Sequence, residues 1–327
     1  MVTRFLSPQV RPYLILVIVA VLLAAADAGN DRFLTLATAY STFQSFSTFG
    51  LVALGLGLTM LIGEFDLSTA GVFGLAGCVA LLTGTESPWI GLLSALGVGL
   101  VFGLVQGFII TALDVGSVPV TLGGLLTSNG LSYVITHNRT ISSDNIDLAM
   151  LLNDRVAGLF SIRSVVVLSI FVVAAAIFAG TRLGRDLVAV GSDRRAALIA
   201  GVSVRKLILG AFTFSGLMAA LSGSMLSFGL ASASPSGLSD VLVPSAAAAI
   251  LGGVSLSGGA GTPFGILAGV LILTVLRSGL NAIAAQQFAH DLATGFVLLA
   301  VAISDAPYLS RQFAAFGTYF RRPSALQ

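Results

Sequence analysis

The sequence predicts an all-α fold, a polytopic membrane helix bundle. Three observations carry that reading. Hydrophobic residues make up 56% of the chain and charged residues only 9%, against about 25% charged in soluble domains. A chain of 327 residues with so few charges cannot cover its surface in water, whereas lipid removes the need for a polar surface. The apolar residues also fall into separate runs, most of them near the ~20 residues that a helix needs to cross a bilayer. Finally, many of the 38 glycines lie inside those runs, as in Leu51–Leu61 and Gly91–Gly107, and small residues let membrane helices approach closely.

About ten transmembrane helices are expected, near 12–29, 44–62, 70–84, 89–112, 118–136, 163–181, 206–228, 242–256, 264–282 and 288–305. The first follows Arg4 and Arg11 and ends in small residues at Ala24–Ala26, as a signal peptide would. The many spans after it favour an uncleaved first helix. The stretch 33–62 is long for one helix and leaves open a broken or re-entrant piece near 33–43. The run 242–256 is short enough to be a half-helix. LIGEFDLSTAGVFGLAGCV (61–79) resembles LGGVSLSGGAGTPFGILAGV (251–270), with Gly63 aligned to Gly252 and Asp66-Leu67-Ser68 to Ser255-Leu256-Ser257. Many transporters contain weak duplications of this kind, and Gly-rich apolar segments also match by chance. The whole of 1–327 reads as one transmembrane domain.

Basic residues set the orientation. With the N-terminus in the cytoplasm, inner loops and tails hold Arg4, Arg11, Arg182, Arg185, Arg194, Arg195, Arg205, Lys206, Arg311, Arg321 and Arg322. The outer loops hold Arg32, Arg139, Arg155 and Arg163. Eleven against four places both termini inside. Trp89, after Pro88, then falls at the outer interface, where amphipathic aromatics are favoured. Two connections are long: an outer one at about 137–162 and a strongly charged inner one at about 182–206, RLGRDLVAVGSDRRAALIAGVSVRK.

Several chemistries are excluded. The only lysine, Lys206, is followed by Leu207, so no GxxxxGK[ST] loop exists to cradle nucleotide phosphates. No HExxH, no paired His/Cys metal pattern and no GxSxG elbow occurs, so no catalytic and no metal-binding residues are assigned. His137 and His290 read as ordinary interfacial residues, Cys78 as a small buried hydrophobe. A net charge of +2 gives no reason to expect a nucleic-acid partner.

The inner loop carries the most specific pattern. Arg195-Ala196-Ala197-Leu198-Ile199-Ala200-Gly201 resembles the EAAxxxG pattern of ABC-importer permeases, with Arg in place of Glu. GRDLVAVGSDRRAALIAGVSVRK (184–206), LGGVSLSGGAGTPFG (251–265) and GEFDLS (63–68) resemble the matching segments of ribose-type permeases, a likeness that runs from about residue 45 to about 305. That family usually has Gly-Gly-Ile-Asp-Leu-Ser at 63–68, whereas this chain has Glu64 and Phe65. The resemblance implies an importer in the bacterial inner membrane. It would combine two permease chains (a homodimer or sister subunits), a cytosolic ABC ATPase that carries the ATP and Mg, and a periplasmic sugar-binding protein. The permease itself would bind no cofactor. Residues Arg194, Arg195, Ala196, Ala197, Gly201 and Arg205 would belong to the coupling loop that docks on the ATPase.

Polar residues within apolar helices are costly in lipid and are pathway candidates. Gln106, Asn129, Arg277 and Asn281 qualify, with Glu64 and Asp66 at a helix end. Amides such as Gln106 and Asn129 can equally tie helices together. Asp66 with Ser68 suits capping of the helix that follows. An ion-coupled carrier, the main alternative, would need acids within the spans, and the helix centres are almost free of them.

Overall fold

The apolar segments fold as helices whose ends are set by local chemistry. The computed structural model describes residues 11–27, 32–235 and 239–305. Its helices are α1 (Arg11–Ala26), α2 (Leu36–Leu61), α3 (Thr69–Thr83), α4 (Pro88–Leu113), α5 (Ser117–Thr136), α6 (Ile146–Asn153), α7 (Ile162–Gly180), α8 (Arg182–Ser192), α9 (Arg194–Ile199), α10 (Val204–Leu230), α11 (Leu242–Leu251), α12 (Pro263–Ala282) and α13 (Gln287–Asp305). Thr35, Ser161 and Thr262 open α2, α7 and α12 by accepting the N–H three residues on, which satisfies donors that a helix start leaves orphaned. Pro88 and Pro263 sit at first helical positions, where no hydrogen bond is lost.

Six helices, α2, α4, α5, α7, α10 and α12, are long and apolar enough to cross a membrane, while α1, α3, α11 and residues 288–299 of α13 form shorter apolar pieces. A helical membrane bundle is therefore the architecture. One alternative needs correction, and two segments gain detail. Helix α2 runs unbroken from Leu36, so there is no separate piece near 33–43. That stretch holds no Pro or Gly, and its Ser41 and Thr42 hydroxyls donate to the Thr38 carbonyl within the helix. The segment expected over 242–256 ends at Leu251, as a half-helix. The outer loop 137–162 is partly ordered secondary structure. Besides α6, its short strands β1 (Ile141–Ser142), β2 (Arg155–Val156) and β3 (Phe160–Ser161) make two antiparallel pairs, β1 with β4 (Ser232–Ala233) and β2 with β3. The tail arginines Arg4, Arg311, Arg321 and Arg322 and both termini lie outside the described residues.

Helix α10 packs against α2, α3 and α4, and α12 packs against α1, α2 and α11. The α4–α10 seam explains much of the glycine content. Gly91, Ala95, Gly99, Gly103 and Gly107 are all buried on α4, and their four-residue spacing puts them on one stripe. A Cβ on Gly99 would lie 2.3 Å from the Gly216 carbonyl oxygen, and a Cβ on Gly216 would lie 2.3 Å from that of Gly99. Backbones meet there, so attraction comes from close packing rather than from large side chains. Larger residues fill the space between α2, α7 and α12: Phe46, Phe171, Leu54, Val167 and Leu273 form a buried cluster. Helix α1 is a packed member of the bundle, with Leu23 against Gly279 and the Tyr13 hydroxyl donating to the Phe264 carbonyl. His290 is buried; His137 is exposed.

Gly216→Leu should force α4 and α10 apart. Overpacking of this kind costs about 1–3 kcal/mol, so thermal unfolding in detergent should begin at distinctly lower temperature than in Gly210→Leu, whose Cβ meets open space.

Candidate functional site

Three helices of the bundle end on a glycine with left-handed backbone. Helix α2 ends at Gly63 (φ 76), α9 at Gly201 (φ 83) and α11 at Gly253 (φ 85). Each glycine donates to the carbonyl three residues back, and the next residue donates to the carbonyl five back. The acceptors are Met60 and Thr59, Leu198 and Ala197, and Ile250 and Ala249. This is the Schellman ending, which wants a left-handed residue and hence glycine. In this ending the counterpart of Gly63 is Gly253, one residue away from Gly252, and because α9 ends in the same way the pattern does not mark a repeat.

Two of these ends form an elbow on which α8 stands. The Gly259 N–H donates to the Leu61 carbonyl at 2.8 Å, which joins the turn after α11 to the end of α2. Gly191 of α8 lies over that joint: a Cβ there would sit 1.9 Å from the Leu61 oxygen and 2.4 Å from the Gly259 nitrogen. No side chain fits, so α8 and both turns touch backbone to backbone. Beneath them, Leu61, Ile62, Ile110, Leu187, Val190, Ala197, Val204, Ile208 and Phe212 form one apolar cluster.

Charge fastens the same joint. Arg194, at the start of α9, donates to the Glu64 carboxylate and, at 3.2 Å, to the Ile62 carbonyl. The Glu64 side chain is 8% exposed and that of Arg194 44%, so the acid is held inside and its cation reaches in from the rim. Asp193 caps α9 by accepting the Arg195 and Ala196 N–H groups at 2.8 and 3.0 Å. The other face of α9 is bare: Leu198 and Ile199 are 58% and 89% exposed, while Ala197 points inward. Arg195, Ala196, Gly201 and Arg205 are exposed as well.

A second network lies just inside. The Asp66 carboxylate accepts from the Ser68 N–H, the Ser68 hydroxyl and, at 2.7 Å, the Ser215 hydroxyl of α10. Gln106 Nε2 of α4 donates to the Ser68 hydroxyl at 3.0 Å, over Gly124 of α5, where a Cβ would be 2.7 Å from that nitrogen. Burial pushes the Asp66 carboxyl above the usual carboxylate range, and its bonds to Ser68 and Ser215 pull against that rise. Asp66 therefore serves the turn and the packing of α10; it accepts the Ser68 N–H rather than capping the first turn of α3 in the expected way.

The family described as "Branched-chain amino acid transport system / permease component" matches residues 38–302. The chain belongs to this permease family. It is 31% identical over 297 residues to the L-arabinose transport system permease protein AraH of Escherichia coli K12, covering 90% of each chain. To the probable ABC transporter permease protein y4mJ of Sinorhizobium fredii it is 31% identical over 273 residues, 81% of this chain and 80% of the other. To the ribose import permease protein RbsC of Haemophilus influenzae it is 29% identical over 308 residues, 92% of this chain and 94% of the other. No solved structure matches significantly.

In this permease, the residues singled out from sequence separate into groups. Glu64, Arg194 and Ala197 meet at the elbow, Asp66 and Gln106 share the network behind it, and Arg195, Ala196, Gly201 and Arg205 stay exposed. Asn129 is half-buried on α5, and Asn281 is exposed at the far end of α12, so the structure does not bring these two to the others. Gly191 and Ser215 went unnoticed in the sequence, since neither a glycine in an amphipathic helix nor a serine in an apolar one stands out. The Arg194–Glu64 pair had a readable signal: the family's acid is missing at Arg195, while an acid replaces glycine at 64.

A double-mutant cycle with Glu64→Gln and Arg194→Gln should show coupling of about 1 kcal/mol in thermal unfolding, small because the arginine is half in solvent. Additive effects would mean that the pair does not hold the joint.

Proposed function

We propose that this permease is the membrane-spanning subunit of an importer for a monosaccharide or related polyol, driven by a separate cytosolic ABC ATPase through α8 and α9. The observation that carries the reading is the bare Leu198–Ile199 face on a helix pair rooted, backbone to backbone, in the turns after α2 and α11. An exposed isoleucine beside basic residues suits a groove in a partner protein better than it suits water. Its footing on Leu61, Gly63 and Gly259 supports a lever: a push on α9 reaches α2 and α12 without passing through flexible side chains.

The division of labour follows from the same chemistry. The chain has no phosphate loop, so ATP and Mg would bind the ATPase, and this chain would carry no cofactor and no catalytic residue. Relatives named as arabinose and ribose permeases support a sugar as cargo, delivered by a periplasmic binding protein. Two permease chains, identical or sister, would enclose the path in the bacterial inner membrane. The positive-inside bias supports cytoplasmic termini and a cytoplasmic 182–206 loop. Residues 1–327 would form one domain crossed by ten segments, with α3 and α11 as short pieces that meet their turns inside the bundle.

Two variants test the lever in the assembled transporter. Ile199→Asp should abolish co-purification of the ATPase subunit while leaving the permease folded. Gly201→Val forces a β-branched residue to φ 83 where nothing crowds its Cβ, at a cost of about 1–2 kcal/mol to that turn alone. It should leave hydrolysis running but cut sugar uptake into vesicles about tenfold or more, a loss of roughly 1.4 kcal/mol of coupling. Normal uptake by both variants would remove α9 from the mechanism.

A further inference from the structure

Where α7 passes into α8, an open groove of about 740 Å³ runs between those two helices and the starts of α1 and α12. Its size falls within the roughly 300–1,000 Å³ of small-molecule sites. Ala175 is its deepest lining residue on α7, five residues before that helix ends at Gly180, or about 7.5 Å of helix rise. Helix α7 is long and apolar enough to cross a membrane. The groove therefore covers the depth at which hydrocarbon gives way to headgroups.

The walls are mostly apolar, and their polar groups are already engaged. Tyr13 of α1 donates to the Phe264 carbonyl at 3.1 Å, and the Thr262 hydroxyl accepts the Gly265 N–H at 3.0 Å. On the α8 side, a Cβ on Gly184 would lie 2.0 Å from the Phe178 carbonyl oxygen, so α7 and α8 meet backbone to backbone and the groove keeps its shape. One charge is left over. Arg185 lines the groove, is exposed, and has no hydrogen bond or ion pair with any described residue. Among the described residues no carboxylate lines the groove. Asp186, the next residue, is carried to another face of α8 by the helical step of about 100°.

We infer that this groove seats an anionic phospholipid of the leaflet beside the 182–206 loop, with its phosphate on Arg185 and the upper part of an acyl chain along Phe264 and Ala179. A guanidinium can take a phosphate through two parallel N–H donors, and basic pockets between membrane helices at the interface bind lipid headgroups in this way. Phe264 is 54% exposed, a large apolar surface that lipid covers and water does not. A cytosolic partner can reach the face of α9 but not the depth of Ala175. A zwitterionic lipid offers the same phosphate yet brings an ammonium group toward an unopposed cation, which favours a net-negative headgroup. Gly191 follows Arg185 by six residues, about 9 Å along α8, so the seated lipid braces the far end of the helix that stands on the elbow. The inference concerns lipid rather than cargo and holds whichever solute crosses.

The test is native mass spectrometry of the full-length permease in detergent, titrated with an equimolar mixture of phosphatidylglycerol and phosphatidylcholine of matched chains. Wild type should keep phosphatidylglycerol as its first adduct in clear preference to phosphatidylcholine. Arg185→Gln should cut that preference about fivefold. Ala179→Trp, which fills the groove from an exposed position, should weaken the first adduct of both lipids with thermal unfolding unchanged. Arg182→Gln removes the same charge from α8 outside the lining and should leave the preference near that of wild type. No preference in wild type would overturn the site, and so would an equal loss in Arg182→Gln, which would mean a diffuse basic surface. Displacement of the lipid by millimolar inorganic phosphate would make Arg185 a free-anion site instead. Loss of permease dimers in Ala179→Trp with lipid adducts unchanged would show that a second chain covers the groove, and the inference would fall.

Discussion

The hydrogen bond from Gly259 to the Leu61 carbonyl, with Gly191 pressed on it, is the constraint around which this permease is arranged. It closes two half-turns on each other and leaves no gap for a side chain, so α8 cannot tilt without moving the ends of α2 and the approach to α12. Protein interiors resist compression and pass strain on, and contact between backbones is the stiffest form of that packing. The Arg194–Glu64 pair fixes α9 to the same point, so the two short helices and the two turns form one body.

The bundle around this body is built on a related economy. Because lipid and leucine are equally apolar, burial alone gives helices little reason to associate, and small residues that permit contact take over. The α4 stripe from Gly91 to Gly107 against α10 works in this way. Polar side chains are spent sparingly and in small linked sets. Asp66, Ser68, Ser215 and Gln106 are linked by hydrogen bonds at the elbow end, with Gln106 Oε1 left without a partner among the described residues. At the other end Arg163 donates to Gln44 and Asn153 at 2.6 and 2.8 Å and ties α7 to α2 and α6. Each set joins helices far apart in sequence, which a bundle of smooth apolar rods would not otherwise register.

Composition and apolar runs made the helices legible, because the requirement to bury backbone polar groups in lipid leaves few other structures. Gly63 and Gly201 were legible as named members of motifs, and Gly253 was not. Their shared hydrogen-bond pattern was not, and neither was its one-residue shift, since sequence alignment weighs side chains while the Schellman ending is set by φ. The inner loop stood out through its charges, yet the pattern could not say that Ala197 faces inward and Ile199 outward. That depends on how α9 lands on the α2 end. Glu64 looked like an anomaly until Arg194 appeared beside it. Asn129 and Asn281 carried the same polarity signal as Gln106, but depth in a helix says nothing of which neighbour it faces.

The most direct measurement is a pair of spin-label distances in the assembled transporter, on a background in which Cys78 is replaced by alanine. One pair joins positions 199 and 257, across the elbow; the other joins 199 and 144, across the bundle. On addition of nucleotide, the account predicts a shift in the long distance while the short one keeps its mean and width. A short distance that changes as much as the long one would show α9 sliding over the turns, and the rigid lever would be gone.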